Sequence, residues 1–575
     1  MTYFLPNALG RSASRRQVLK GTAAAVGAIG IPSLLAACGG SSSDSTTTSS
    51  QSTSNTSGSS SGSSNASPAA SNAGTPKKGG TLVVGMEAEI SSFDPAVMTG
   101  TSTFRPVSSM FDMLVNLYGA ESSLKPDIAE SWDVAEDAQS VTMKLRPNIK
   151  FHDGTAVDAE AVVFSFERML NQNDPNYFGP YAFPPFFYPT YKTSSVVDPL
   201  TVKFELTQPD ATFLSALSWN TASIVSPTAA KAAGKDFSSK PVGAGPFKFV
   251  SWDKNVKTTM ARFDDYWNGP ALLDQIIWKP IVEEAARFNQ LLSGEVDFIV
   301  SIDPQFVPQV QSNPNLQLIQ GPSLHTWWVY LNTHEEHLKD VRVRQALNYG
   351  VDKESLIKNI LHDTAIVSTS WCWPNTWAAE PDVTKYGYDP EKAKDLLAQA
   401  GFANGFDLEY LVPESGSGMV APKEIATAMQ ADLKKIGVNL KITTMEWISY
   451  LAATANGLDN VNGKQFAMCQ ESWMNPVDDP GLWVEFETVN MPPGGGNTGY
   501  YENSEYAALL AKARTTIDQN ERAQAYKQAQ KIFADDAPWI FMFHSNFVTA
   551  ARKNVQGITL NPDQNVLHLK DVWKS

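Results

Sequence analysis

The chain has 575 residues and a formal charge of −15, and 42% of its residues are hydrophobic. That is long enough for a large core and more than one domain, and too acidic for nucleic acid or an anionic membrane surface as partner. The acidity belongs to the main body: removing the six basic residues and the one acidic residue of the first 78 positions from totals of 45 and 60 leaves a net of −20.

The chain opens with Ser14-Arg15-Arg16-Gln17-Val18-Leu19-Lys20, an Ala/Gly-rich apolar run, and Leu35-Ala36-Ala37-Cys38. Paired arginines ahead of a modest hydrophobic stretch read as a twin-arginine export signal, although Val18 replaces the usual phenylalanine. Small residues ending at a cysteine read as a lipoprotein cleavage box. Gly21–Ala37 is short and broken by Pro32, a poor membrane span, so a single anchor helix is the lesser alternative. Residues 1–37 are therefore expected to be a signal peptide, and Cys38 the lipidated residue. From Gly39 to about Thr75 the chain is almost all Ser, Thr, Asn, Gly and Ala without an aromatic residue, too polar to offset its ordering entropy. Residues 38–78 then act as a leash of roughly 30–35 Å reach. The expected location is periplasmic, or the outer face of a cell membrane, by lipid anchor.

Thr81-Leu82-Val83-Val84-Gly85 reads as a strand, stopped by the turn Ser92-Phe93-Asp94-Pro95. Val141, Met143 and Leu145 alternate with polar residues, as on a half-buried strand. Asp158 is placed to cap a helix carrying Val162, Val163, Phe166 and Met169, and Val202, Phe204 and Leu206 form another alternating strand. This first third is mixed α+β. Later, Asp389-Pro390 starts a helix with Ala393, Leu396, Leu397 and Ala400 on one face, ended by Gly401. Strand 408–412, a helix with Ile425, Met429, Leu433 and Ile436, and strand 438–442 make a βαβ unit with a parallel sheet. The fold class is α/β with a mixed α+β insertion.

Beyond Cys38 only Cys372 and Cys469 remain, and their spacing leaves a disulfide open. No CxxC or HExxH spacing occurs, so neither metal nor cofactor is expected. His152-Asp153-Gly154 sets an imidazole beside a carboxylate, but neighbours on a turn are poorly placed as base and orienter. No GxSxG nucleophile accompanies them, and a structural turn is the better reading.

Several motifs occur in a telling order: Leu124-Lys125-Pro126-Asp127-Ile128-Ala129-Glu130-Ser131-Trp132, Phe151-His152-Asp153-Gly154, and Pro241-Val242-Gly243-Ala244-Gly245-Pro246-Phe247. Tyr266-Trp267, Leu331-Asn332-Thr333, Asp340-Val341-Arg342-Val343-Arg344-Gln345-Ala346-Leu347 and Tyr388-Asp389-Pro390 follow. Together they resemble the dipeptide/oligopeptide/nickel group of ABC-importer substrate-binding proteins, extracellular solute-binding family 5, over essentially all of 79–575. The resemblance implies the two-lobed periplasmic-binding-protein fold with a cleft and a hinge. It divides the chain into lobe I (79–118, 238–325 and 545–575), an inserted domain (119–237) and lobe II (326–544). It also implies a monomer that closes on a small-molecule or peptide ligand and docks on membrane permease subunits, without covalent chemistry.

Trp473-Met474-Asn475-Pro476-Val477-Asp478-Asp479-Pro480 resembles the family's cleft segment. In peptide-binding members an aspartate three residues after the tryptophan pairs with the ligand's ammonium; here that position is Pro476. Trp473, Asn475, Asp478 and Asp479 remain candidate ligand contacts. Trp371, Trp373 and Trp377 are either aromatic walls for the ligand or core packing of the second lobe. Trp328, beside Trp327, is hinge packing or pocket wall. Gly494–Gly499 lacks a Walker lysine and is expected as a flexible loop near the cleft. The expected function is an importer's receptor for an oligopeptide-like or dipeptide-like solute, with oligosaccharides and metal chelates as alternatives. An exported enzyme or folding helper on the same scaffold is the different-class alternative.

Overall fold

A computed structural model of the chain describes residues 75–118, 123–181, 183–416, 418–475 and 477–575. The expected signal peptide, Cys38 and Pro476 lie outside the described residues. Among the described residues no helix is long and apolar enough to cross a membrane.

The architecture is mixed α/β and is organised by one large sheet. Its strands run in the order Val438–Met445, Phe406–Pro413, Met468–Met474, Leu316–Leu331, Trp539–Arg552, Phe298–Ile299, Thr81–Met86, Gln275–Pro280, Lys257–Arg262 and Phe247–Asp253. The two longest, Leu316–Leu331 and Trp539–Arg552, pair antiparallel at its middle and carry the sheet from one half to the other. Their ladder is interrupted. Pairing runs from Leu316 opposite Arg552 to Gly321 opposite Phe547, then resumes at His325 opposite Ser545. Three residues on one strand there face a single one on the other, which locally bends and twists the pair.

The strand–helix–strand reading matches Phe406–Pro413, helix Pro422–Lys435 and Val438–Met445, whose strands are parallel in register from Phe406 opposite Val438. Buried Ile425, Met429 and Leu433 lie along one helix face, over Leu408 and Tyr410. Gly437, at φ 87°, makes the turn back that a side chain would resist. The Asp389 side chain accepts from Lys392 N at the start of helix Pro390–Gln399.

Between residues 129 and 206 a separate four-stranded antiparallel sheet forms, in the order Ala129–Val134, Ser140–Leu145, Thr201–Leu206, Tyr191–Asp198. Val202, Phe204 and Leu206 bury one face of its third strand. The helix Ala159–Leu170 covers it, with Asp158 Oδ1 accepting from Ala161 N at 3.0 Å.

His152 and Asp153 serve structure. The imidazole Nε2 bonds Gly245 O at 2.9 Å, and Asp153 accepts from Thr155 N and Oγ1 and from Ser226 Oγ. The loop through Gly494–Gly499 departs from expectation: Gly495 through Gly499 are buried, and Tyr330 donates to Gly496 O at 2.7 Å. Packing without side chains, not flexibility, is what those glycines provide. Cys372 and Cys469 are both free and buried.

Candidate functional site

A cavity of about 620 Å³ lies above the interrupted ladder. One side is built by Glu87, Arg105, Arg287 and Asp303, from segments that flank the first half of the sheet. A second wall is aromatic: Phe183, Phe187 and Trp219 come from the region of the four-stranded sheet, with Phe187 and Trp219 4.8 Å apart. The third side is Met419, Val420 and Ala421, before the helix Pro422–Lys435, together with Ser472, Trp473 and Met474 at the end of their strand. The floor is His325, Phe543 and Ser545 from the two long strands.

The charged groups are mostly engaged with one another. Arg105 Nη1 donates to Glu87 Oε1 at 2.7 Å, its Nε donates to Gln564 O at 2.8 Å, and its guanidinium lies 5.3 Å over the Phe547 ring. Burial lowers its pKa, against the pull of Glu87. Arg287, almost fully buried, is held by backbone carbonyls: Nη1 donates to Ile281 O at 2.8 Å, and Nε faces Ser301 O at 3.4 Å. Glu284 is pushed up to about 7, first by a hydrogen bond with Asp303 and then by burial. On the floor, burial holds His325 down at about 4, and the ring is neutral at pH 7.

Of the residues singled out from sequence, Trp473 lines the cavity. Its ring lies 6.1 Å from Phe186 and 6.4 Å from Phe486, joining two walls. Trp371, Trp373, Asn475 and Asp478 surround a separate void of about 20 Å³ beside Cys372, water-sized at most. Asp478, its carboxyl raised to about 6 by burial, leaves Oδ1 without a partner there. Asn475 Nδ2 donates to Val477 O at 2.7 Å. Asp479 is sealed: Oδ1 accepts from Tyr526 at 2.6 Å and Gly481 N at 2.9 Å, and Oδ2 is 3.1 Å from Arg522. Trp377 packs against Tyr526 beneath the Arg522 guanidinium. Trp328 is fully buried, stacked 4.3 Å from Trp539, and forms no part of the cavity wall.

Sequence reasoning passed over Arg105, Arg287, His325, Ser472, Ser545 and the aromatic trio around Trp219. These residues sit on segments far apart in sequence, and each alone reads as ordinary core. A single histidine in the apolar strand Leu316–Leu331 was the one available signal.

Comparison with known proteins agrees with this architecture. Residues 123–485 match the family model "Bacterial extracellular solute-binding proteins, family 5 Middle". The chain is similar to heme-binding protein A of Haemophilus influenzae, with 31% identity over 82% of this chain and 88% of that one. It is likewise 30% identical to the dipeptide-binding protein of Escherichia coli, over 84% and 92% of the two chains. Among solved structures it resembles the ABC transporter-associated periplasmic binding protein DppA of Helicobacter pylori in complex with the peptide STSA. That match has a TM-score of 0.71 and 28% identity, and covers 87% of this chain and 99% of that one. The fold is thus the mixed α/β periplasmic-binding-protein fold. The chain belongs to family 5 of the bacterial extracellular solute-binding proteins, the solute-binding components of ABC importers.

Proposed function

We propose that this chain captures a peptide-like solute outside the cytoplasm and presents it to a membrane permease, tethered by lipid on Cys38. Family membership makes it a binding component of an importer and not an enzyme. One observation carries the finer reading: a cavity of about 620 Å³ walled from both halves of the large sheet, directly over the break in the ladder that joins them. A ligand touching both walls makes its full set of contacts only when the halves are together, so binding shifts the population toward closure. The break between Gly321 and His325 is the hinge in this reading, and lobes I and II meet there. The volume suits a short peptide, and aromatic walls with few convergent polar groups suit its side chains. Two similar proteins, the E. coli dipeptide-binding protein and the H. pylori protein with peptide STSA, support the same class.

Mass spectrometry of ligand retained through native purification tests this. A peptide or peptide derivative is the expected mass; a carbohydrate or a metal chelate in its place replaces the class while leaving the receptor reading intact. Turnover of that compound by the purified chain would overturn both.

A further inference from the structure

Outside the cavity wall, charged side chains meet across the boundary that the sequence draws between the inserted domain and lobe II. The inserted domain contributes Asp210, in the turn before the short helix Phe213–Ala216. Lobe II contributes Asp478 and Asp479, Glu485 on the helix Gly481–Thr488, Arg514 on the helix Ser504–Thr515 and Arg522 on the helix Gln519–Asp536. Arg514 bridges Glu485 and Asp210, at 2.6 and 3.2 Å, and Arg522 lies 3.1 Å from Asp479. Asp210, Asp478 and Asp479 are all more than nine-tenths buried. Ser215, on the inserted-domain helix, and Arg522 favour the charged form of Asp478, while Asp479 opposes it. Tyr506, Tyr526 and Cys372 are the other titratable groups packed there, and burial keeps all three protonated.

Four carboxyls, of Asp210, Asp478, Asp479 and Glu485, thus face two guanidinium groups, an excess of two negative charges when all are ionised. Desolvation and like charge both oppose that state. Asp478 is the least supported of the four, since its buried Oδ1 has no hydrogen-bond partner. Burial first, and then Asp479, push its carboxyl up to about 6. Glu485 is raised as well, by burial first, although Arg514 holds it. In the closure reading above, parting the two sides admits water, and Asp478 returns toward the ordinary value of about 3.9. The closed arrangement therefore binds a proton more tightly than the open one. By linkage, closure gains as pH falls through about 6 and has its full gain below about 4.

We propose that this interface is a pH-sensitive latch on the cleft: closing takes up a proton among its carboxyls, chiefly at Asp478, so that acid favours the closed, solute-holding form. This rests on the closure reading above and adds to it a control that needs no ligand.

The test is single-molecule fluorescence transfer in the ligand-free full chain, with dyes on Lys192→Cys and Lys423→Cys, exposed positions of the inserted domain and lobe II. Cys38→Ala in the same chain leaves only the buried Cys372 and Cys469 as other thiols. The ratio of closed to open populations is expected to rise about tenfold from pH 7 to pH 5. Asp478→Asn, which keeps the shape and has no proton to gain, is expected to remove most of that rise and to favour the closed population at both pH values. Should that variant not fold, Glu485→Gln takes its place and is expected to blunt the rise. Two populations whose ratio does not move with pH overturn the latch and leave closure standing. An equal rise in both variants puts the titrating group elsewhere and overturns the latch too. A single population at both pH values also overturns it, and if Arg514→Ala leaves that population unchanged, closure falls as well.

Discussion

Nη2 of Arg514 lies 3.2 Å from Oδ2 of Asp210, which ties the helix Ser504–Thr515 to the segment that follows the four-stranded sheet. The same guanidinium reaches Glu485 Oε2 at 2.6 Å, and Arg514 O accepts from Ala211 N at 2.7 Å. Arg522 Nη1 adds a bond to Ala211 O at 3.0 Å. Two arginines thus grip one turn, on the side of the molecule where Phe186 meets Trp473 and Phe486. The contact spans the inserted domain and lobe II as these are drawn from the sequence, and in the closure reading proposed above it forms when the two approach.

Arg514→Ala is therefore expected to weaken ligand binding by destabilising the closed arrangement, and to cost about 2 kcal/mol of unfolding free energy. Charge-assisted hydrogen bonds of a partly exposed cation have that size, and Asp210 keeps its bonds from Thr190 and Thr212. Urea unfolding and calorimetric Kd values for Arg514→Ala, Asp210→Asn and the double variant form a cycle. Additive effects would show that the pair is not coupled.

Gly418→Ala should abolish or strongly weaken binding with a small loss of stability. The new methyl would lie 2.9 Å from Ser472 Oγ and from the His325 ring, and the positive φ adds strain of about 1 kcal/mol. A Kd within twofold of wild type would show that the space over His325 is not used.

Trp473→Phe separates contact from packing at the wall shared by two halves. Phenylalanine keeps the neighbours Phe186 and Phe486, while the indole N–H, buried and without a protein partner, is lost. Ligand affinity should drop about five- to tenfold, with stability changed by less than about 1.5 kcal/mol. The reverse pattern, lost stability at full affinity, would make Trp473 a core residue.

Local chemistry was readable from sequence, and assembly was not. Caps at Asp158 and Asp389, the alternation in Thr201–Leu206 and the parallel pair around Pro422–Lys435 all follow from residues close in the chain. The cavity does not. Its floor depends on the register that brings Ser545, His325 and Met474 into one row, and hundreds of residues separate the first and last of these strands. The tryptophan cluster shows the same limit. Trp371 and Trp373 look alike on the page, yet whether either meets a ligand depends on Tyr526 and Leu324, which pack against them from elsewhere.

Cys38→Ala is expected to release the protein from membranes into the soluble extracytoplasmic fraction without altering its Tm, because the polar stretch behind Cys38 has no apolar surface to contribute to a core. Fractionation of cells with detection of the chain reads this out. Unchanged membrane association would remove the lipid anchor.

Buried imidazoles lower stability as the pH falls. His544 is held down to about 3 by burial and by nearby His325, and its Nδ1 is 3.0 Å from Thr326 Oγ1. The unfolded side chain titrates near 6.5. A depressed imidazole pKa means that the unfolded chain binds the extra proton first, so this contribution is whole above about pH 6.5 and is lost as pH falls toward 3. The slope approaches 1.4 kcal/mol per pH unit for one such group. His544→Asn, which can keep a bond to Thr326 and cannot titrate, should therefore flatten the fall between pH 6.5 and 5. Urea unfolding at those two pH values is expected to show a drop about 1–2 kcal/mol smaller than in wild type. Carboxyls raised by burial, such as Asp127 and Asp563 at about 7, act in the opposite sense and lose their contribution as pH rises through 7. They are common to both proteins and cancel in the comparison, so equal drops would show that His544 is protonated in the fold.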